Sequence, residues 1–451
     1  MAEIYSKTQR AVRWYPPAYD IRVETVPVPK SAALSPAIPI KTLTSCLRSI
    51  LHPDDAIVKI TLAGLCGSDL HVYRGHEDVN DPLICGHEFI GEVVALGASF
   101  SSDATNRPAL YSDLKLGDKV VSPFTVSCGE CHFCRAGISC RCIHSKLFGI
   151  PDLPGGQAQY VRVPKAGGTL FKVDSITSLM PPGEEHTLAD SSLLLLADIL
   201  PTGAFAALQA LQHPKISPWV NGSAYPYNSF VPEVMASSRP PALPLEDRAL
   251  TFAVIGLGPV GVCATVSLLH LLAEIHEKSG VTFRVVAVDP NASRREKMQS
   301  VLALPSFPPN IDTVVVADIE DAKGVVARWT GGVGCNAILE VVGNNSALTL
   351  AYELVRPFGL ISSVGVHQAP QLPLTGREAY DKNVSFDFGR CPVRSMLPIA
   401  SSILIKRQDV FGGIGDQASL IEKVVGFEEA AEVYDLFDKG RCGKVLFDPW
   451  Q

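Results

Sequence analysis

The chain has 451 residues, of which 47% are hydrophobic and 19% charged, with a net charge of -7. That length exceeds the size at which one hydrophobic core splits, so two or three domains are expected. The acidic balance removes the electrostatic grounds for binding nucleic acid or an anionic membrane, and neither is expected as a partner.

The N-terminal stretch MAEIYSKTQRAVRWYPPAYD has no apolar run long enough for a signal h-region. A cytosolic protein with reduced thiols is expected, so the twelve cysteines are not read as a disulfide framework. RAVRWYPPAYDIRVETVPVP is strand-like, and residues 27–55, rich in Pro, Ser and Ala, read as a loop insertion. From AIVKITLAGLCGSDLH to GGQAQYVRVP, short alternating runs broken by Gly, Pro and Asp predict a β-rich unit, with strands in GHEFIGEVVALG and LGDKVVSPF.

Two stretches of this unit carry chemistry. GLCGSDLH offers Cys66, Ser68, Asp69 and His71, and GHEFIGE offers His87 and Glu88. A lone Cys is usually a small buried hydrophobe, and a lone His is usually structural, so the combination matters more than either alone. CGECHFCRAGISCRC then spaces Cys128, Cys131 and Cys134 two residues apart, with Cys142 following. A turn of that kind can point three thiolates inward and let a fourth close a tetrahedron, which zinc favours. A redox switch, unliganded thiols and iron–sulfur ligation are the competing readings, although the spacing differs from ferredoxin patterns. Cys140 and Cys46 are given no role.

SSLLLLADILPTGAFAALQAL is the most apolar stretch, but Asp198 and Pro201 interrupt it too early for a membrane span. Residues 212–248, rich in Pro and Ser, read as a long surface insertion. After it, apolar strands alternate with helices: TFAVIGLG, FRVVAVD, TVVVAD, NAILEVVG and GLISSVGV. That texture predicts a parallel sheet covered on both faces. Gly256, Gly258 and Gly261 follow an apolar strand and open a helix, the context in which such a turn cradles a pyrophosphate. Asp289 ends the next strand and would accept hydrogen bonds from adenine-ribose hydroxyls, favouring NAD over NADP. It comes farther along than usual, the connection being extended by HEKSGVTF, and Arg294 and Arg295 could admit a phosphate. GLISSVGV is expected to suit edge-to-edge pairing. The chain then returns to mixed strand and helix, ending in GKVLFDPW.

CGSDLH, GHEFIGEVV, the cysteine lobe, DILPTG, GLGPVG and GKVLFDPW together resemble the zinc-dependent medium-chain alcohol dehydrogenases. The DILPTG setting is similar to that of the glutathione-independent formaldehyde dehydrogenases. The resemblance implies a Rossmann-type doubly wound α/β domain, residues 201–385, and a β-rich GroES-like catalytic domain, residues 1–200 and 386–451. It implies two zinc ions per chain. The catalytic one would be held by Cys66, His87 and Asp198, leaving an open position for an alcohol, with Glu88 as the rival ligand. The structural one would be held by Cys128, Cys131, Cys134 and Cys142. Ser68 and His71 would relay the proton and Asp69 would orient His87. Thr202, Val342 and Val366 would flank the nicotinamide. The expected enzyme is an NAD-dependent alcohol dehydrogenase acting on a small alcohol or carbonyl, as a homodimer or homotetramer. A formaldehyde dehydrogenase or dismutase, a silent scaffold and a zinc-free quinone reductase are the alternatives.

Overall fold

The computed structural model describes residues 8–29, 52–102, 104–105, 107, 109–180, 188–222, 235, 248–305, 313–369 and 371–451. Most of the two expected insertions, 27–55 and 212–248, therefore lies outside the described residues. The chain divides into two compact units: Met1–Pro201 with Pro392–Gln451, and Thr202–Cys391.

The first unit opens with a hairpin of β1 (Thr8–Tyr15) and β2 (Asp20–Pro27). It continues through β3 (Ala56–Gly64), β4 (Leu83–Ile84), β5 (Phe89–Leu96), β6 (Lys119–Ser122), β7 (Tyr160–Val163) and β8 (Phe171–Lys172). The second unit carries β9 (Leu250–Ile255), β10 (Phe283–Val288), β11 (Val314–Ala317), β12 (Cys335–Glu340), β13 (Val355–Ser363) and β14 (Ser385–Phe388). The chain then returns to the first unit with β15 (Ile421–Gly426) and β16 (Lys444–Asp448).

The main sheet of the first unit runs β15-β16-β3-β5-β6-β8, with β7 also paired to β3. β3 and β5 sit centrally because both alternate apolar residues inward, among them Val58, Ile60, Phe89 and Val93, in one core cluster.

The second unit is a parallel sheet in the order β11-β10-β9-β12-β13-β14. This is the doubly wound dinucleotide-binding order, with its switch point between β9 and β12. β9 and β12 are buried along their whole length, as strands covered on both faces must be. The expected edge pairing of GLISSVGV does not hold. β13 bonds to β12 on one side and β14 on the other, so its apolar content reflects an interior place and β14 is the edge. Because β14 completes this sheet, the second unit ends at Cys391, past the expected boundary at 385.

The helix Pro259–Ser279 is long and apolar enough to cross a membrane. It opens on the glycine turn and buries Val262, Val266, Leu268 and Leu272 within its unit. The helical stretches Asp190–Ala197 and Ile199–Gln212 meet the same test as a pair, but the chain bends by 51° between them.

Candidate active site and metal centres

β3 ends at Gly64 and β5 begins at Phe89, and their antiparallel register places Ala63 opposite Phe89. The loop leaving β3 therefore meets the loop entering β5. Cys66 is on the first and His87 on the second, which is how residues distant in sequence come together. β16 runs antiparallel to β3 with Leu446 opposite Gly64, so Lys444 falls beside the same loops. Asp198 sits at the break before the helix Ile199–Gln212, with a non-helical backbone (φ -150°, ψ -72°). The Phe124 N–H donates to the Ala197 carbonyl at 3.2 Å and ties this break to the chain just past β6.

Cys66 Sγ lies 3.4 Å from Asp198 Oδ2, and that oxygen lies 3.3 Å from His87 Nε2. One donor atom from each of Cys66, His87, Glu88 and Asp198 lies within 4.8 Å of the others, and all four residues are buried. Tetrahedral zinc, with bonds of about 2.0–2.3 Å, sets its donor atoms about 3.3–3.8 Å apart. The thiol, the imidazole and the Asp198 carboxylate match that spacing, so these residues fit the ion that the resemblance implies.

Asp69 faces His87 Nδ1 at 3.1 Å through Oδ1, and through Oδ2 accepts the Cys66 N–H at 2.9 Å. One carboxylate thus fixes the imidazole so that Nε2 is the nitrogen turned to Asp198, and holds the Cys66 backbone as well. Burial opposes a charge on His87, but Asp69 and Asp198 outweigh it and hold its pKa well above the usual value. Burial pushes the Cys66 thiol up, and Asp198 and Glu88 add to the shift. A buried thiol, imidazole and carboxylates frustrated in this way are a donor set that a cation would relieve.

Ser68 Oγ lies 3.1 Å from His87 Nε2 and 3.5 Å from Cys66 Sγ, and makes no side-chain cap bond to the short helix Asp69–Tyr73. His71, in that helix, is half-buried, and burial lowers its pKa. Its Nδ1 is buried without a hydrogen-bond partner among the described residues.

Glu88 has a partner that the sequence did not reveal. Lys444 Nζ donates to Glu88 Oε2, and also to the Leu65 carbonyl at 3.0 Å. Each side chain of this pair is 1% exposed. Burial works against the Lys444 charge, but Glu88 outweighs it and raises its pKa. Glu88 Oε1 has no hydrogen-bond partner among the described residues. Gly64 is required here, since a Cβ would stand 1.9 Å from Glu88 Oε2. The signal for Lys444 was a single lysine opening a strand whose next three residues, Val445, Leu446 and Phe447, are apolar.

The second cluster joins Cys128, Cys131, Cys134 and Cys142, whose sulfurs also lie within 4.8 Å of one another. Cys142 Sγ is 3.5 Å from Cys128 Sγ and 3.9 Å from Cys131 Sγ. Backbone N–H groups point at the sulfurs: Cys128 and His144 at Cys142, and Cys131 at Cys128. Burial works against ionising Cys131, but N–H groups of Cys134 and Ile143 outweigh it and bring the thiol down to about 6. Four sulfurs at tetrahedral spacing, served by N–H donors, fit a closed zinc site. The described cysteines form no disulfide, and Cys140 is buried outside the group.

In the second unit the glycine turn leaves β9. Gly256 has φ +97°, and a Cβ there would meet Val342 Cγ2 at 2.5 Å. A Cβ on Gly261 would stand 1.9 Å from the Gly256 carbonyl oxygen, so the helix Pro259–Ser279 can start this close only from glycine. Nothing lies within 4 Å of a Cβ on Gly258, which leaves room for a ligand. That helix reaches Ser279, so the late arrival of Asp289 comes from helical residues rather than a loop.

Asp289 is buried and accepts N–H donors from Leu257 and Asn291, each at 2.8 Å. Arg294 Nη1 is 3.6 Å from its Oδ2, whereas Arg295 turns back to the carbonyls of Asp289 and Pro290. Val342 and Val366 are exposed, at 43% and 44%, on two turns packed backbone to backbone. Thr202 is buried in the helix Ile199–Gln212. Sequence reasoning missed what holds the two turns. Glu340 Oε1 accepts the N–H groups of Val342 and Gly343, while Oε2 accepts from Ser363 Oγ at 2.6 Å and faces His367 Nε2 at 3.2 Å.

A zinc-type oxidoreductase with a separate dinucleotide unit is the class that this fold and these clusters define. An alcohol dehydrogenase GroES-like domain matches residues 52–175, and a zinc-binding dehydrogenase domain matches residues 270–390. The zinc-type alcohol dehydrogenase B of Aspergillus flavus is 36% identical over 97% of this chain and 81% of its own length. A medium chain reductase/dehydrogenase of an Acremonium species is also 36% identical, over 82% of this chain and 98% of its own. Formaldehyde dismutase of Pseudomonas putida is 26% identical over 95% of each chain. Among solved structures, an alcohol dehydrogenase of Thermus sp. ATN1 superposes with a TM-score of 0.67 at 26% identity, covering 97% of this chain and 99% of its own. The chain belongs to the zinc-type medium-chain alcohol dehydrogenase family and is an oxidoreductase of that family.

Proposed function

We propose that the protein moves a hydride between a small alcohol, or its carbonyl product, and NAD. Cys66, His87 and Asp198 would hold the catalytic zinc, and Cys128, Cys131, Cys134 and Cys142 a structural one. The convergence of Cys66, His87 and Asp198 at the junction of β3 and β5 carries this reading. Bound zinc would supply Lewis acidity toward a substrate hydroxyl, and bound NAD the hydride acceptor.

The chain's own groups do the remaining work. Asp69 keeps His87 in one tautomer. Ser68 Oγ takes the hydroxyl proton at the cluster, and His71 passes it to solvent. The lowered pKa of His71 leaves it an unprotonated acceptor at neutral pH. Glu88, tied to Lys444, offers the cluster one further carboxylate oxygen. Asp289 receives the ribose hydroxyls and disfavours a 2′-phosphate, while Arg294 beside it draws the opposite way. Val342 and Val366 give the nicotinamide an apolar shelf.

The test is a screen of primary, secondary and aromatic alcohols for NAD reduction, with Cys66→Ser alongside. Alcohol-dependent NADH formation that falls to background in the variant is expected, and full activity in Cys66→Ser contradicts the reading. A second reading, aldehyde dismutation, is favoured by Asp198 standing beside Cys66 and His87 in the cluster and by the likeness to a formaldehyde dismutase. It predicts that formaldehyde alone yields methanol and formate in equal amounts with no net consumption of NAD.

A further inference from the structure

The carboxyl ends of β12 and β13 are tied together by one buried carboxylate. Glu340 closes β12, and its side chain is 0% exposed. Oε1 accepts the N–H groups of Val342 at 2.9 Å and Gly343 at 2.8 Å, in the turn that leaves β12. Oε2 accepts from Ser363 Oγ at the end of β13, and faces His367 Nε2 in the turn that follows. Ser363 Oγ also lies 2.8 Å from His367 Nε2. An ionised carboxylate only accepts, and the Ser363 hydroxyl directs its one hydrogen at Glu340. Nε2 of His367 must therefore carry a hydrogen, shared between Glu340 Oε2 and Ser363 Oγ.

These bonds bear on two turns packed without slack. A Cβ on Gly343 would stand 2.4 Å from the Val366 nitrogen, and one on Gly365 would stand 2.1 Å from the Gly343 nitrogen. The first turn also lies against the glycine turn, since a Cβ on Gly256 would meet Val342 Cγ2 at 2.5 Å. Dinucleotides bind in the crevice outside such strand ends, where the sheet order reverses. Glu340 grips the first turn by its backbone. Its carboxylate reaches the second side through Ser363, on the strand itself, and through His367, in the turn that carries Val366. The His367 side chain is 15% exposed and meets Phe388 edge-on, with ring centroids 5.2 Å apart.

We propose that His367, by donating to Glu340, fixes the turn that carries Val366 and so sets how tightly the protein holds the nicotinamide half of its cofactor. The inference rests on the reading that Val342 and Val366 flank the nicotinamide. His367 acts through Glu340 and its own backbone, so it is a positioning residue. On the same reading the adenosine half meets Asp289 and the pyrophosphate meets the glycine turn. Loss of the His367 bond should therefore be felt by one half of the cofactor and not by the other.

The experiment compares NADH with ADP-ribose, which lacks the nicotinamide but keeps the rest of the dinucleotide. Binding of each to the full-length protein is measured by calorimetry. His367→Phe keeps a ring against Phe388 but loses the N–H, whereas His367→Gln keeps an N–H donor but loses the ring. NADH should bind His367→Phe about tenfold more weakly than it binds the wild type, with ADP-ribose affinity unchanged. His367→Gln should bind both ligands as the wild type does. Wild-type NADH affinity in His367→Phe, equal weakening of both ligands in that variant, or a loss in His367→Gln as large as in His367→Phe overturns the proposal. Wild-type protein that binds ADP-ribose as tightly as NADH overturns the nicotinamide reading itself, before any variant is made. If His367→Phe does not fold, His367→Ala takes its place with the same expected result and the same refutation.

Discussion

At the residue scale, Asp198 separates this site from a generic buried polar cluster. Asp198→Ala should lower the zinc content by one ion per chain and bring alcohol oxidation to background, while Asp198→Cys should keep the ion, since a thiolate also ligates zinc. Elemental analysis of both purified variants checks this. Asp69→Asn leaves the ligands in place but loosens His87, so catalytic zinc should bind roughly 10–100-fold more weakly while lobe zinc is unaffected. Chelator titration reads the two sites apart. Cys66, His87 and the four lobe cysteines stood out in the sequence because their chemistry is packed into short motifs. Lys444 did not, because its meaning depends on β16 pairing with β3, and nothing local to GKVLFDPW marks that lysine as buried against Glu88. The Glu340, Ser363 and His367 grouping was equally hidden, since it joins the ends of two strands.

At the element scale, the glycine turn and the strand ends of the second unit carry the predictions. Gly261→Ala would drive a methyl into the Gly256 carbonyl, so the helix must shift; a loss of about 1–3 kcal/mol in stability and of NADH binding is expected. Thermal unfolding and NADH fluorescence titration measure both. Glu340 offers a test by pH. Burial alone would raise its pKa, but His367, Ser363 and the Gly343 and Val342 N–H groups outweigh it, so the folded carboxyl titrates below its ordinary 4.5. A depressed carboxyl contributes stability above its unfolded pKa and loses it as pH falls through the folded one. Glu340→Gln should therefore be less stable than wild type by about 1–3 kcal/mol at neutral pH, with the gap closing as pH falls below 4.5. A gap independent of pH would sink this account of the carboxylate. Strand existence was readable from apolar runs, but strand order was not. GLISSVGV has the composition of a buried strand, and composition cannot say that β14 would pair on its outer side. The length of the helix Pro259–Ser279 likewise resolved a spacing that the sequence could only note as odd.

At the scale of the whole molecule, the chain builds most of its metal-binding unit, then a complete nucleotide sheet, and returns at Pro392 to add β15 and β16 to the first sheet. The change of texture near Pro201 announced the second unit, but the return was blurred because β14 resembles the strands on either side of it. On the proposed reading, cofactor choice is a property of the second unit. Asp289→Ala, which leaves Arg294 in place, should shift the ratio of kcat/KM for NAD over NADP by at least about tenfold toward NADP, a change of roughly 1.4 kcal/mol. Steady-state kinetics with both cofactors measures it. The most direct test of the central claim is the anomalous zinc signal in crystals of the purified enzyme. A peak within bonding distance of Cys66 Sγ, His87 Nε2 and an Asp198 carboxylate oxygen is predicted, with a second among the lobe sulfurs. Signal at the lobe alone, with none among Cys66, His87 and Asp198 in a protein that still oxidises alcohols, would contradict it.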